Sequence, residues 1–239
     1  KIYKFFLQII FINKNLVVVV QNKTDYMFFK KEFNLKKNVK FIKGGSGINF
    51  KKLNKIKKNK SKNIVFSGRL VFNKGIKEYI EAAKQLKNEF PDWNFLIYGT
   101  RDYLSQDKFN LDDYKKEIKE KVIIYKGYEK DVRNIIKNTT IFCLPSYREG
   151  MPKSVLEASA AGIPCVVSDA PGCKESVINR STGLIVKTKN SKDLIKKIRE
   201  LINKPKLRNI MSQNATKFAK EEASIEKITK IIFKIYEKK

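Results

Sequence analysis

The sequence contains no histidine, only three cysteines, and only seven arginines among its 52 basic residues. Each scarcity removes a class of chemistry. Without histidine there is no Ser-His or Cys-His nucleophile pair and no imidazole metal ligand, so general-base work falls to a carboxylate, a lysine or a tyrosine. Cys143 and Cys165 lie in apolar, strand-like runs, where cysteine packs as a small hydrophobe, and Cys173 sits in a turn. Their spacing matches neither a zinc pattern nor a disulfide framework, and no metal or cofactor is expected. Long apolar runs are missing too. Residues 5–12 and 16–20 are separated by Asn13, Lys14 and Asn15, and each falls far below the ~20 residues of a spanning helix. No small-residue cleavage site follows them, so neither a membrane span nor a signal peptide is expected.

The shortage of arginine bears on the formal net charge of +28. A nucleic-acid site calls for clustered arginine, a base-reading module or aromatics interleaved with basic residues. Here the excess is lysine, spread with asparagine over helix faces such as Lys196, Lys197 and Lys204. Such a pattern is a solvated surface, and no nucleic-acid partner is expected. What it does attract is anionic phospholipid or a lipid-linked diphosphate. The chain is therefore expected to be cytoplasmic, with peripheral contact on the inner face of the cytoplasmic membrane.

What is present is enough for a globular core: 42% hydrophobic and 11% aromatic residues in 239. Strand-like runs at residues 16–21, 39–43, 63–67, 94–98, 122–125, 140–144, 164–168 and 184–186 alternate with helical patterns at 23–33, 75–90, 131–138 and 152–161. The β-branched run 16–21 reads as a strand buried on both faces, and residues 51–62, almost all Lys, Asn and Ser, as an exposed linker. From Ser191 onward the pattern is helical. The alternation predicts an α/β fold, a doubly wound parallel sheet with a C-terminal helical segment.

In such a sheet ligands bind at the carboxyl ends of the strands. One loop there, Gly68-Arg69 to Lys74-Gly75, places two cations between a strand and a helix start, where a diphosphate fits, with Gly68 and Gly75 allowing close approach and a sharp bend. Another, Pro145-Ser146-Tyr147-Arg148-Glu149-Gly150-Met151-Pro152, opens a helix carrying Glu157. Pro152 suits its first turn, leaving the amides of Lys153, Ser154 and Val155 as an anion site. Glu157 lies beside a small-residue face, Ala158 to Ala161, where a carboxylate needs hydrogen-bond donors that ligand hydroxyls can supply.

These two segments, together with Gly162-Ile163-Pro164, Asp169 to Glu175 and Thr182-Gly183-Leu184, resemble the retaining family-4 glycosyltransferases of GT-B fold. Glu149 and Glu157 fit that family's E-x7-E motif, and the order of motifs holds from about Gly44 to the C-terminus. The resemblance implies that Arg69 and Lys74 hold the donor diphosphate and stabilise the leaving nucleotide, with Gly68 in the same loop. It implies that Glu149 contacts the donor sugar and Glu157 the ribose. By the same resemblance Gly150, Met151 and Pro152 meet the sugar through backbone amides, while Ser154 and Val155 bind the diphosphate. Tyr128 stands at the base-binding position and is expected to pack rather than stack. The family's reaction is transfer with retention, without metal, and this chain has no Asp-x-Asp motif of the metal-dependent kind.

Gly44 to Asn49, Lys74 to Tyr79 and Leu144 to Glu149 further resemble bacterial enzymes that extend undecaprenyl-diphosphate-linked glycans, which implies a UDP-sugar donor, a glycan or lipid-linked acceptor, and hexosyl or N-acetylhexosaminyl transfer in cell-surface polysaccharide synthesis. The implied organisation is a remnant of an N-terminal acceptor domain at residues 1–43, a hinge and linker at 44–62, a nucleotide-sugar-binding domain at 63–222, and a helix at 223–239 returning towards the N-terminal domain. The chain begins at Lys1 rather than Met, and more of that domain is expected upstream. The rival expectation is a donor-binding fragment or scaffold without independent turnover.

Overall fold

The apolar runs of the sequence become parallel strands. The computed structural model describes residues 2–13, 15–35 and 38–237, so Lys1, Lys14, Lys36, Lys37, Lys238 and Lys239 lie outside the described residues. The chain starts with α1 (Ile2–Ile10), β1 (Val18–Val20), α2 (Lys23–Glu32) and β2 (Val39–Phe41). β1 and β2 form a two-stranded parallel sheet around Val20, Leu35 and Val39, with Phe11, Phe29 and Phe33 packed on it. The expectation of a strand buried on both faces fails here. Val19 is 45% exposed, because so small a layer is covered on one side only.

Residues 44–47 bend sharply, with Gly44, Gly45 and Gly47 all at positive φ. They are packed rather than loose: the Ile48 amide donates to the Ala223 carbonyl at 2.8 Å, and the Ile225 amide returns to the Ile48 carbonyl at 2.9 Å. The lysine-rich stretch that follows is not irregular throughout, since α3 (Phe50–Leu53) buries Leu53.

The main sheet then runs β3 (Asn63–Ser67), α4 (Ile76–Glu89), β4 (Asn94–Tyr98), α5 (Lys115–Lys119), β5 (Ile124–Gly127), α6 (Val132–Ile136), β6 (Ile141–Leu144), α7 (Lys153–Ala160), β7 (Cys165–Ser168) and β8 (Gly183–Val186). Every residue of β6 and β7 is buried, as their unbroken apolar runs require when helices cover both faces. On α4, Ile76, Tyr79, Ile80, Ala83 and Leu86 recur at helical spacing and are buried together. The Tyr79 hydroxyl, inside the core, donates to the carbonyls of Ile64 at 2.8 Å and Leu96 at 3.1 Å, so its burial leaves no polar atom unpaired.

The strand order is β5-β4-β3-β6-β7-β8, all parallel, and it reverses between β3 and β6. Loops leaving those two strands turn to opposite sides and open a crevice between them, which is where the doubly wound fold binds ligands. Beyond β8 come α8 (Ser191–Asn203), α9 (Pro205–Phe218), a π turn at Ala219–Ala223, and α10 (Ile225–Glu237). Among the described residues no helix is long and apolar enough to cross a membrane.

Candidate functional site

The crevice is closed at its base by glycine. Residues Phe72–Lys74 make one 3-10 turn, and Gly75, at φ 72°, ends it and starts α4. A Cβ at Gly75 would stand 2.2 Å from the Pro145 carbonyl oxygen, so the loops after β3 and β6 touch only because no side chain is there. The Tyr147 amide donates to the Asn73 carbonyl at 2.7 Å and fastens them. Gly68 does not bend the chain in this way: a Cβ there would make ordinary contacts at 3.8 Å and beyond. The close approach belongs instead to Gly99, whose Cβ would fall 1.8 Å from the Gly68 carbonyl oxygen.

These contacts bring Lys74 and Glu149 together. The ammonium and the carboxylate meet at 2.5 Å, with the side chains 18% and 13% exposed. Glu149 is held by its own amide, which donates to the Pro171 carbonyl at 2.9 Å. Arg69 does not join this pair. Its guanidinium is 62% exposed and binds Asp102 at 3.0 Å on the outer side of the loop. Around the pair lie unsatisfied polar groups. Ser146 Oγ and Glu78 Oε2 are buried without a hydrogen-bond partner among the described residues. Glu78 Oε1 accepts from the Tyr147 hydroxyl at 2.7 Å, and burial, together with that carboxylate, pushes the tyrosine pKa up. Cys173 is also close, but burial raises its thiol pKa to about 12, so it offers no nucleophile.

The helix start differs from expectation by one residue. Pro152 is the N-cap of α7 rather than its first turn, and its carbonyl accepts the Val155 amide at 3.1 Å and the Leu156 amide at 3.3 Å. Val155 is therefore buried and bonded, and cannot offer an amide to an anion. The amides of Lys153 and Ser154 have no acceptor among the described residues. Met151 is buried, its Cβ packed 2.9 Å from where a Gly45 Cβ would be.

Glu157 lies one turn along α7, in the wall of an open cleft of about 460 Å³ shared with Asn49, Lys52, Asp131, Arg133 and Lys153. Its side chain is 16% exposed, and the nearest cation, Lys153, is 3.9 Å away. Burial raises its pKa above the ordinary carboxylate value, with Lys153 opposing weakly. It is a half-buried acid that, among the described residues, accepts no hydrogen bond. Tyr128 departs from the expectation of packing: it is 69% exposed.

One contributor was not legible in the sequence. Asn22, fully buried, caps α2 by accepting the Asp25 amide at 2.8 Å, and its side-chain amide also reaches the carbonyls of Glu149 and Gly150 at 3.3 Å each. Asn three residues before Asp signals a helix cap. Nothing local signals a partner 127 residues away.

The model of the family described as glycosyl transferases group 1 matches residues 46–218. The N,N'-diacetylbacillosaminyl-diphospho-undecaprenol alpha-1,3-N-acetylgalactosaminyltransferase of Campylobacter jejuni is 34% identical over 231 residues, covering 91% of this chain and 57% of that protein. The UDP-Gal:alpha-D-GlcNAc-diphosphoundecaprenol alpha-1,3-galactosyltransferase of Escherichia coli is 33% identical, covering 62% of this chain and 38% of that protein. The chain thus spans roughly half or less of the length of these relatives. Among solved structures, Anabaena HepE in complex with UDP superposes with a TM-score of 0.82 at 17% identity, over 93% of this chain and 64% of that one. A glycosyltransferase from Rickettsia africae gives 0.81 at 18% identity, over 94% and 64%.

Proposed function

Because the chain belongs to the group 1 glycosyl transferases, we propose that its crevice binds a nucleoside diphosphate sugar, with UDP as the nucleotide, and that the protein transfers the sugar with retention to a lipid-linked glycan. The observation that carries this is the close Lys74–Glu149 pair at the strand-order reversal, with Ser146 Oγ in the same loop as Glu149 buried and without a partner among the described residues. A diphosphate there would draw Lys74 to itself and free Glu149 for a sugar hydroxyl. As the bond from the anomeric carbon to the diphosphate breaks, negative charge builds on the departing oxygen. Lys74, once released from Glu149, and the open amides of Lys153 and Ser154 would stabilise it. The acceptor hydroxyl forms the new bond, and its proton goes to the leaving phosphate. Arg69 reaches the diphosphate by exchanging Asp102 for it. The ribose hydroxyls would supply the donors that Glu157 lacks. The names of the two transferases above support an undecaprenyl-diphosphate-linked acceptor and an N-acetylhexosamine or hexose donor.

A second reading, a donor-binding unit without turnover of its own, is weighed because the chain spans 57% and 38% of the two transferases named above. Calorimetric titration tests donor binding for both. UDP and UDP-N-acetylgalactosamine should bind; Glu157→Ala should weaken UDP about tenfold, roughly 1.4 kcal/mol. Arg69→Ala should weaken UDP while leaving uridine unchanged. Wild-type affinity in both variants would discard the assignment. Transfer of sugar to a lipid diphosphate acceptor then separates the two readings.

A further inference from the structure

Asn22 sits outside the main sheet, at the start of α2, yet it is fully buried against the Glu149–Gly150 segment. Three further contacts join the same two regions. Asp25 pairs with Arg148, the Lys23 amide donates to Glu175 at 3.4 Å, and Gln21 Oε1 lies 3.1 Å from where a Gly150 Cβ would be. Glu175 in turn accepts the Gly172 amide at 2.8 Å, and Gly172, at φ 82°, lies beneath the carbonyls of Glu149 and Gly150.

The planar trans peptide makes this informative. Within one peptide unit the carbonyl and the following N–H point in opposite directions. Fastening the carbonyls of Glu149 and Gly150 to Asn22 therefore turns the amides of Gly150 and Met151 away from α2. Neither amide has an acceptor among the described residues. Both amides thus belong to a loop whose carbonyls are held from α2.

We infer that Asn22 is a positioning residue for the donor sugar: by holding the Glu149 and Gly150 carbonyls, it aims the Gly150 and Met151 amides at the sugar's hydroxyls. This rests on the donor-binding reading above. It divides the labour within the site, since the nucleoside end around Glu157 is independent of Asn22. The Asn22 side-chain amide also donates to Asp25 at 2.7 Å, so one hydrogen serves the cap and the other is shared by the two carbonyls.

Asn22→Ser tests this, because serine keeps the helix cap but is too short to reach the carbonyls. Titrations with UDP and with UDP-N-acetylgalactosamine should show the sugar nucleotide weakened about tenfold and UDP unchanged. Equal losses for both ligands, or none, overturn the positioning role. Backbone amide relaxation by NMR on the ligand-free chain gives an independent readout. Gly150 and Met151 should become more mobile in Asn22→Ser with the melting temperature little changed, and unaltered mobility also overturns it. If the mobility rises but the wild-type chain binds neither ligand, the brace stands and the donor-binding reading falls.

Discussion

Glu157 shows how much a single side chain can state about its ligand. A carboxylate with little exposure, a distant lysine and no donor is less stable charged than in water, which is why burial raises its pKa. The folded state then holds its proton more tightly than the unfolded chain. Stability from that proton is complete below the unfolded carboxylate pKa and is lost as pH rises through the raised folded one. Glu157→Gln should accordingly melt above the wild type at neutral pH and level with it below about pH 4, while binding UDP more weakly. A glutamine variant that melts lower at neutral pH would mean that the charged group is served by the protein, and the ribose assignment would lose its basis. The opposite logic governs Lys74 and Glu149. Each satisfies the other at 2.5 Å, so the pair is a stored arrangement that a diphosphate can rearrange without exposing a bare charge.

At the level of elements, the site depends on how closely two loops approach. Lys74 closes the loop after β3 and Glu149 lies in the loop after β6, and Gly75 against Pro145 is the point where the loops touch. Gly75→Ala would put a Cβ into a backbone carbonyl at a positive φ. The left-handed conformation costs an L-residue roughly 1–2 kcal/mol and the overlap about 1–3 more. Urea denaturation should register a loss of about 2–5 kcal/mol, and the Lys74–Glu149 distance should open, lowering affinity for the sugar nucleotide. A stable variant with unchanged affinity would show that the contact is incidental. The helix α7 contributes differently. Because Pro152 is its cap and accepts the Val155 amide, the amides left open at its start are those of Lys153 and Ser154.

On the scale of the whole molecule, charge and apolar surface make contact with a membrane face testable. The net charge is +28, and α1 exposes Tyr3, Phe5, Phe6, Ile9 and Ile10 while α10 exposes Ile232, Phe233 and Tyr236. Lysine attracted to anionic headgroups is screened by salt, whereas exposed aromatics add an apolar contribution that salt does not remove. We expect sedimentation with phosphatidylglycerol vesicles at low salt and substantial release at about 0.5 M NaCl, where the Debye length falls to a few ångströms. Equal retention on phosphatidylcholine would assign binding to the apolar helices alone.

The sequence by itself determined the parallel α/β sheet and the helical C-terminus, because both are written in local periodicity, while the motif glutamates were legible only through resemblance to a family. Strands 63–67 and 94–98 were read without error, since unbroken apolar runs bounded by polar residues report a strand covered on both faces. The run 16–21 obeyed the same local rule and misled, for coverage depends on how many strands lie alongside, and β1 has one. Only the tertiary structure decided that Lys74 pairs with Glu149 while Arg69 turns to Asp102, and that Asn22 reaches the Glu149 loop. Those choices follow from strand order and from which glycines let loops touch. Periodicity along the chain carries which face a residue takes, but not which distant segment meets it there.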